Sequence, residues 1–214
     1  TPIQQQEFLG GDIFIGNPEL QMSALQNYDL RIDYTPYNGG LISVSWFYKH
    51  IEDPIEYVQD LVNAFSFTTP LNFPKGKLSG FEFETRQQLG YFWDPMKCIS
   101  IGGNATFIDS EVTLPESERE NLANAGVETT TRDMLGAPDY LYNIYLTYDY
   151  ERFDSQIGLF YTVKGDTLAV GAGNRNGHYV PDVYATEFGT LNLSVSKKLG
   201  KHFNLAFMAK NLLN

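Results

Sequence analysis

Apolar side chains recur at every second position along this chain, over runs longer than an ordinary soluble strand. In 28–34, Tyr28, Leu30, Ile32 and Tyr34 alternate with Asp29, Arg31 and Asp33. In 42–49, Ile42, Val44, Trp46 and Tyr48 alternate with Ser43, Ser45, Phe47 and Lys49. The same rhythm returns with Phe81 and Phe83 between Glu82, Glu84 and Arg86, and with Ile99, Ile101, Ala105 and Phe107. It continues through Tyr140, Tyr142, Ile144, Leu146, Tyr148 and Tyr150, then Ile157, Leu159 and Tyr161. Leu191, Leu193 and Val195 follow, and last Phe203, Leu205, Phe207 and Ala209. A period of two is the mark of a strand with one apolar and one polar face. No stretch carries a helical stripe, so the pattern predicts an all-β fold with almost no helix.

The periodicity places about eight strands, near 25–36, 40–51, 76–90, 96–111, 138–150, 154–167, 187–199 and 202–212. The AFSFTT segment, 64–69, either extends the third strand or forms a small strand inside a loop. Several runs reach about 11–14 residues, where a soluble strand has about 5–6 and a tilted bilayer-spanning strand needs about 9–11. The connections alternate in length. Tight turns fall at Pro36–Gly40, Gly90–Pro95, Glu151–Phe153 and Gly200. Longer gaps fall at 52–75, 112–137 and 168–186. Short and long connections in strict alternation are what an up-and-down barrel with one elaborated rim requires. That rim would hold 1–23 together with the three long gaps.

Composition agrees with a membrane wall. Aromatics make up 14% of the chain, with 14 Tyr and 15 Phe, and such rings suit the boundary between lipid and water. Tyr142 and Tyr150 are separated by about 26 Å of strand. Tilted, that is roughly 20 Å of height, near the apolar band of about 25 Å between aromatic girdles. No run of about 18 apolar residues exists, so no transmembrane helix is expected. A net charge of −11 argues against nucleic acid, whose phosphates need a basic face. The single cysteine, Cys98, has flanks that read as strand and is itself read as a small packed residue within it. Thr1 and Asn214 both read as cut ends.

Catalytic patterns are missing: the sequence has no phosphate loop, CxxC pair, HExxH or G-x-S-x-G. His50, His178 and His202 have no partner at metal-ligand spacing. Glu82 and Glu84 share a face about 7 Å apart, the spacing of a hydrated polar ladder rather than of an acid–base pair. No catalytic residue, metal site or cofactor is therefore assigned, and no ligand-binding residue is fixed. Asn174, Asn176, His178 and Tyr179, aromatic and amide-rich, lean towards a neutral or sugar-like ligand over an anion.

Six segments, in order, resemble one family. GNPELQMSALQNYDLRIDY (16–34), GGLISVSWFYKHIEDPIE (39–56), GKLSGFEFE (76–84), GNATFIDSEV (103–112), RDMLGAPDYLYNIYLTYD (132–149) and LNLSVSKKLGKHFNLAFMAKNLLN (191–214) are similar to strands of TonB-dependent receptors. The spelling is nearest to Bacteroidetes-type members. The resemblance implies that 1–214 is part of one barrel domain, about a third of a barrel of about 22 strands with a plugged lumen. The plug and the remaining strands lie outside it. It implies energy-coupled uptake of a scarce nutrient, such as a siderophore, oligosaccharide or peptide, across a Gram-negative outer membrane. The implied partners are outer-membrane lipid, the TonB complex acting through the plug, the nutrient, and in some members a surface lipoprotein. Two other readings stand beside this one: a complete small barrel with a structural, adhesive or enzymatic role, and a soluble β-sandwich that binds carbohydrate.

Overall fold

The structure, a computed structural model, describes residues 6–9, 12–62, 65–175 and 178–213. Eight long strands form one wall: β1 (Ala24–Tyr34), β2 (Leu41–Glu52), β3 (Lys75–Gln88), β4 (Ile99–Thr113), β5 (Tyr140–Tyr150), β6 (Ser155–Lys164), β7 (Phe188–Leu199) and β8 (Phe203–Ala209). Each pairs antiparallel with the next in chain order. The sheet is an uncrossed meander whose edge strands are β1 and β8. The eight expected strands are thus present within a few residues of their expected ends. The wall does not close, which is why every residue of β1 is exposed.

Cross-strand register sorts the side chains onto two faces. Ile42, Val44, Trp46, Phe81, Phe83, Ile144 and Leu146 stand on one face and are 38–66% exposed together with Leu30 and Ile32. On the other face, Asp33, Ser43, Glu84, Asn104, Asn143 and Thr162 lie in direct register across β1 to β6. That row is hydrogen-bonded. Ser43 donates to Asp33 at 2.5 Å, and Arg31 reaches Asp33 at 2.8 Å and Glu84 at 2.7 Å. Asn143 donates to Asn104 at 2.8 Å, and Thr162 donates to Asn143 at 2.7 Å. Polar groups cluster where they find one another or water, and apolar ones face the side that lacks donors. Leu193 sits in register with Leu159 on the apolar face, and Ser194 and Ser45 on the polar one, as the alternation predicts.

Two glycines let large rings lie flat on the polar face. A Cβ at Gly102 would sit 2.4 Å from the Tyr145 hydroxyl, and one at Gly80 would sit 2.5 Å from the Phe47 ring. Tyr145 pairs with Gly102, and Phe47 with Gly80. Each ring covers its neighbour's bare backbone, where no side chain stands in the way.

Two expectations need correction. A nine-residue helix, α1 (Glu116–Asn124), occupies the charged run that reads as a loop. Pro115 precedes it, Glu116 and Glu118 sit in its first turn, and Val127 N–H closes back on the Leu122 carbonyl. Its first-turn acids complement the helix dipole, but Leu122 is its only buried residue, so no apolar stripe announces it. Cys98 lies in the turn before β4, half-buried, and not in a strand.

The 52–75 gap is also mostly strand. Strands Ile55–Val62 and Phe65–Asn72 pair as a hairpin in a sheet separate from the wall, so the described part of the AFSFTT segment, 65–69, takes the second of its two readings, a small strand inside a loop. The break between wall and hairpin is made by Asp53, at φ 51°, and by Pro54. The Pro54 carbonyl accepts from Phe73 N–H at 2.8 Å, and Asp53 carbonyl accepts from Ser23 and Asn72, both at 2.8 Å.

Candidate functional site

The long segments gather on one rim and the tight turns on the other. Asn17 donates to the Pro70 carbonyl at 3.1 Å, and Gln21 N–H donates to the Asn72 side chain at 2.8 Å, which ties 17–21 to the hairpin. The 112–137 segment reaches both the hairpin and 168–186. Among the described residues, the main buried apolar cluster lies here rather than in the wall: Val58, Phe73, Val112, Leu114 and Leu122, with Leu71, Val127, Met134 and Ala172 against it. Three chain-distant segments contribute to it. A wall one sheet thick has no second layer to pack on, so its apolar face stays open while the rim builds a core of its own.

A buried ion pair crosses this core. Arg132 Nη2 lies 3.3 Å from Glu56 Oε2, with side chains 8% and 2% exposed. The same carboxylate accepts from Leu135 N–H at 3.2 Å, and the guanidinium lies over the Phe73 ring at 4.9 Å. Burial pushes the Glu56 carboxyl above its usual range, against the pull of Leu135 N–H and Arg132. Arg132 Nε is buried without a hydrogen-bond partner among the described residues.

Beside the pair lies a cavity of about 270 Å³. Arg132, Asp133, Asp182, Tyr184, Thr129 and Thr131 supply its polar wall, and Leu114, Leu122, Val127 and Ala172 its apolar one. Tyr184 donates to Asp133 at 2.7 Å, and Asp182 accepts from Ala172 N–H at 2.6 Å. Burial and the Asp133 carboxylate together push the Tyr184 phenol up, so it stays a donor at neutral pH. A larger hollow, about 540 Å³, lies on the wall over Gly103 and Ala105, and its surface is almost wholly apolar. It belongs to the face that meets lipid in a barrel wall.

The residues singled out from sequence are dispersed. Glu84 is tied to Arg31, and its neighbour Glu82 lies two residues along the same polar face. His50 is near the rim end of β2 and His202 is in the turn before β8. Asn174 falls in strand Gly173–Arg175 and Tyr179 with His178 in strand His178–Val180, paired with each other. The side chains of these three, and all of Asn176, lie outside what the structure describes. No three His, Cys, Asp or Glu are grouped for a metal among the described residues. The ion pair and cavity escape sequence reading because their members lie up to 76 positions apart. The only local signals are the two prolines, Pro54 and Pro74, that bracket the hairpin.

Comparison with known proteins points one way. The family model "TonB dependent receptor-like, beta-barrel" matches residues 2–212. No curated protein matches in sequence. Among solved structures, the chain is similar to the copper transporter OprC, at 14% identity and a TM-score of 0.64 over 91% of this chain and 26% of that one. It is similar to the ferric enterobactin receptor PfeA from Pseudomonas aeruginosa, at 16% identity and 0.61, over 94% and 27%. The ferric citrate transporter FecA gives 13% and 0.62, over 88% and 26%. The chain therefore spans about a quarter of the length of these proteins.

Proposed function

The chain belongs to the TonB-dependent receptor β-barrel family, and on that premise we propose that it forms about a third of the wall and part of the capture rim of an outer-membrane nutrient receptor. Barrels of this family reside in the Gram-negative outer membrane and act as transporters and receptors. The observation that carries the reading is the gathering of four long segments into one packed cap. A rigid wall that holds elaborated loops at one end is the usual platform for ligand capture. The polar row from Asp33 to Thr162 supports a wetted interior on the other face. The open edges at β1 and β8 favour a wider barrel over a complete small one.

On this reading the protein does no chemistry. Its wall meets outer-membrane lipid, its rim takes a scarce nutrient with or without a surface lipoprotein, and a plug domain couples it to TonB. Its structural relatives are named for copper, ferric enterobactin and ferric citrate, which supports a scarce, metal-bearing or similarly small nutrient as the cargo of such walls. A β-barrel has no energy source of its own, so uptake against a gradient must draw on the proton gradient. Uptake by cells that carry the natural gene is measured with and without a protonophore. Loss of uptake on collapse of the gradient supports the reading. Unchanged uptake identifies a passive pore and rejects it.

A further inference from the structure

The rim cavity has a donor–acceptor pattern that selects a class of ligand. Among the described side chains, four charged groups lie at or beside it. Glu56 and Arg132 cancel each other, which leaves Asp133 and Asp182 as the net charge of that described set. Two carboxylates, on a chain of net charge −11, repel an anion. Among the described residues, Asp133 takes one bond from Tyr184 and Asp182 one from Ala172, and a carboxylate has lone pairs for more than one donor. A pure cation fits no better, because the Arg132 guanidinium is itself part of the cavity wall. A ligand that fits must donate to two carboxylates, accept from a guanidinium, carry no net charge, and lay an apolar face on Leu114, Leu122 and Val127. The volume, about 270 Å³, is roughly nine waters' worth of space, enough for one six-membered sugar ring with its hydroxyls.

We propose that this cavity is a subsite for a neutral polyhydroxylated ligand, a single glycosyl unit held by Asp133 and Asp182 with Arg132 and Tyr184. The assignment rests on the receptor reading and adds the substrate class to it. Hydroxyls donate to the carboxylates and accept from Arg132, and the C–H face of the ring covers the aliphatic wall. A site built to bond hydroxyls discriminates, because a ligand without them covers the half-buried Asp133 and Asp182 carboxylates without pairing them.

The test uses the full-length gene product in detergent or nanodiscs and calorimetric titration with D-glucose, D-mannose, D-galactose, N-acetyl-D-glucosamine and their disaccharides. Ferric citrate is the anionic arm and spermidine the cationic one. The expected result is that at least one neutral sugar binds in the roughly millimolar range or tighter, and that neither charged probe does. Asp133→Asn and Asp182→Asn keep an oxygen for Tyr184 and Ala172 N–H, so the loops hold their shape; together they should weaken the sugar by about tenfold or more. Hydrogen exchange on the unmodified protein reads the same site without a variant, and saturating sugar should slow exchange across 129–133 and 182–184. Binding of only a charged probe, binding of no sugar, or a sugar that leaves those amides and the double variant unaffected overturns the subsite. Gradient-dependent uptake with no sugar binding sinks this assignment and leaves the receptor. Gradient-independent uptake with sugar still bound in the cavity sinks the receptor and leaves the subsite.

Discussion

Arg132 and Glu56 meet 3.3 Å apart inside the rim, their side chains 8% and 2% exposed, although 76 positions separate them. One residue comes from the segment after β4 and the other from the hairpin after β2, so the pair staples two loops that the wall alone would leave independent. Removing one partner of such a pair leaves a buried charge, at a cost of about 3–5 kcal/mol. Arg132→Ala should therefore loosen the cap and spare the wall. Limited proteolysis should cut first within 112–137 and 52–75, while the strands keep their protection. Equal protection of the cap in the variant and the parent would contradict this role.

The same pair gives the cap a pH dependence of unusual sign. The Glu56 pKa is raised in the folded cap because burial outweighs the attraction of Arg132. A carboxyl with a raised folded pKa favours the folded state when protonated, so its contribution is fully present below the unfolded value of about 4.5. That contribution is lost as pH rises from there through the folded value. The protection of the Leu135 amide, whose N–H bonds Glu56, taken relative to its intrinsic base-catalysed exchange rate, should fall across that window. Glu56→Gln mimics the protonated form and should flatten the dependence; a slope that survives in the variant would assign it to another group.

Facing can be read by charge insertion. Val44 stands on the apolar face, 41% exposed, and Ser45 on the polar face beside Glu82. In the full-length protein, Val44→Arg should cost about 2–4 kcal/mol if it lies near the bilayer midplane, and Ser45→Arg much less. A folding titration in lipid vesicles measures both, and equal costs would mean that the faces are reversed.

The rings that lie over glycines make a coupled prediction. Gly102→Val places a methyl group inside the space of the Tyr145 ring, an overpacking that should cost about 1–3 kcal/mol. Tyr145→Ala alone should also destabilise, by loss of the covering ring. The double variant should cost less than the sum, because the ring's part of the clash goes with the ring, while the contact of the new Cβ with the Thr85 carbonyl at 2.8 Å remains. Simple additivity would show that the ring can swing away at no cost.

How much of this was legible in sequence follows from which interactions are local. The wall was legible because alternation is written residue by residue: Tyr28 to Tyr34 and Ile42 to Tyr48 declare both strands and faces before any partner is known. The cap was not. Phe73, Leu114 and Leu122 are isolated apolar residues among polar neighbours, and they become a core only when three segments converge. Helix α1 lacks the apolar stripe that periodicity detects, and only Pro115 with two acids behind it marks its start. Arg132 reads as one charge among many in a solvated run, and its burial is visible only with Glu56 and Phe73 in place.

If the chain forms part of an outer-membrane receptor, as proposed, the packed rim faces the outside of the cell and the tight turns face inward. Ser117 on α1 and Lys201 in the turn before β8 are both exposed and sit at opposite ends of the wall. With Cys98 replaced by serine, Ser117→Cys and Lys201→Cys variants of the full-length protein are treated in intact cells with a membrane-impermeant maleimide. The account predicts that Ser117→Cys is labelled in intact cells and that Lys201→Cys is labelled only after the outer membrane is opened. Labelling of Lys201→Cys alone in intact cells would place the rim on the inside and contradict the account.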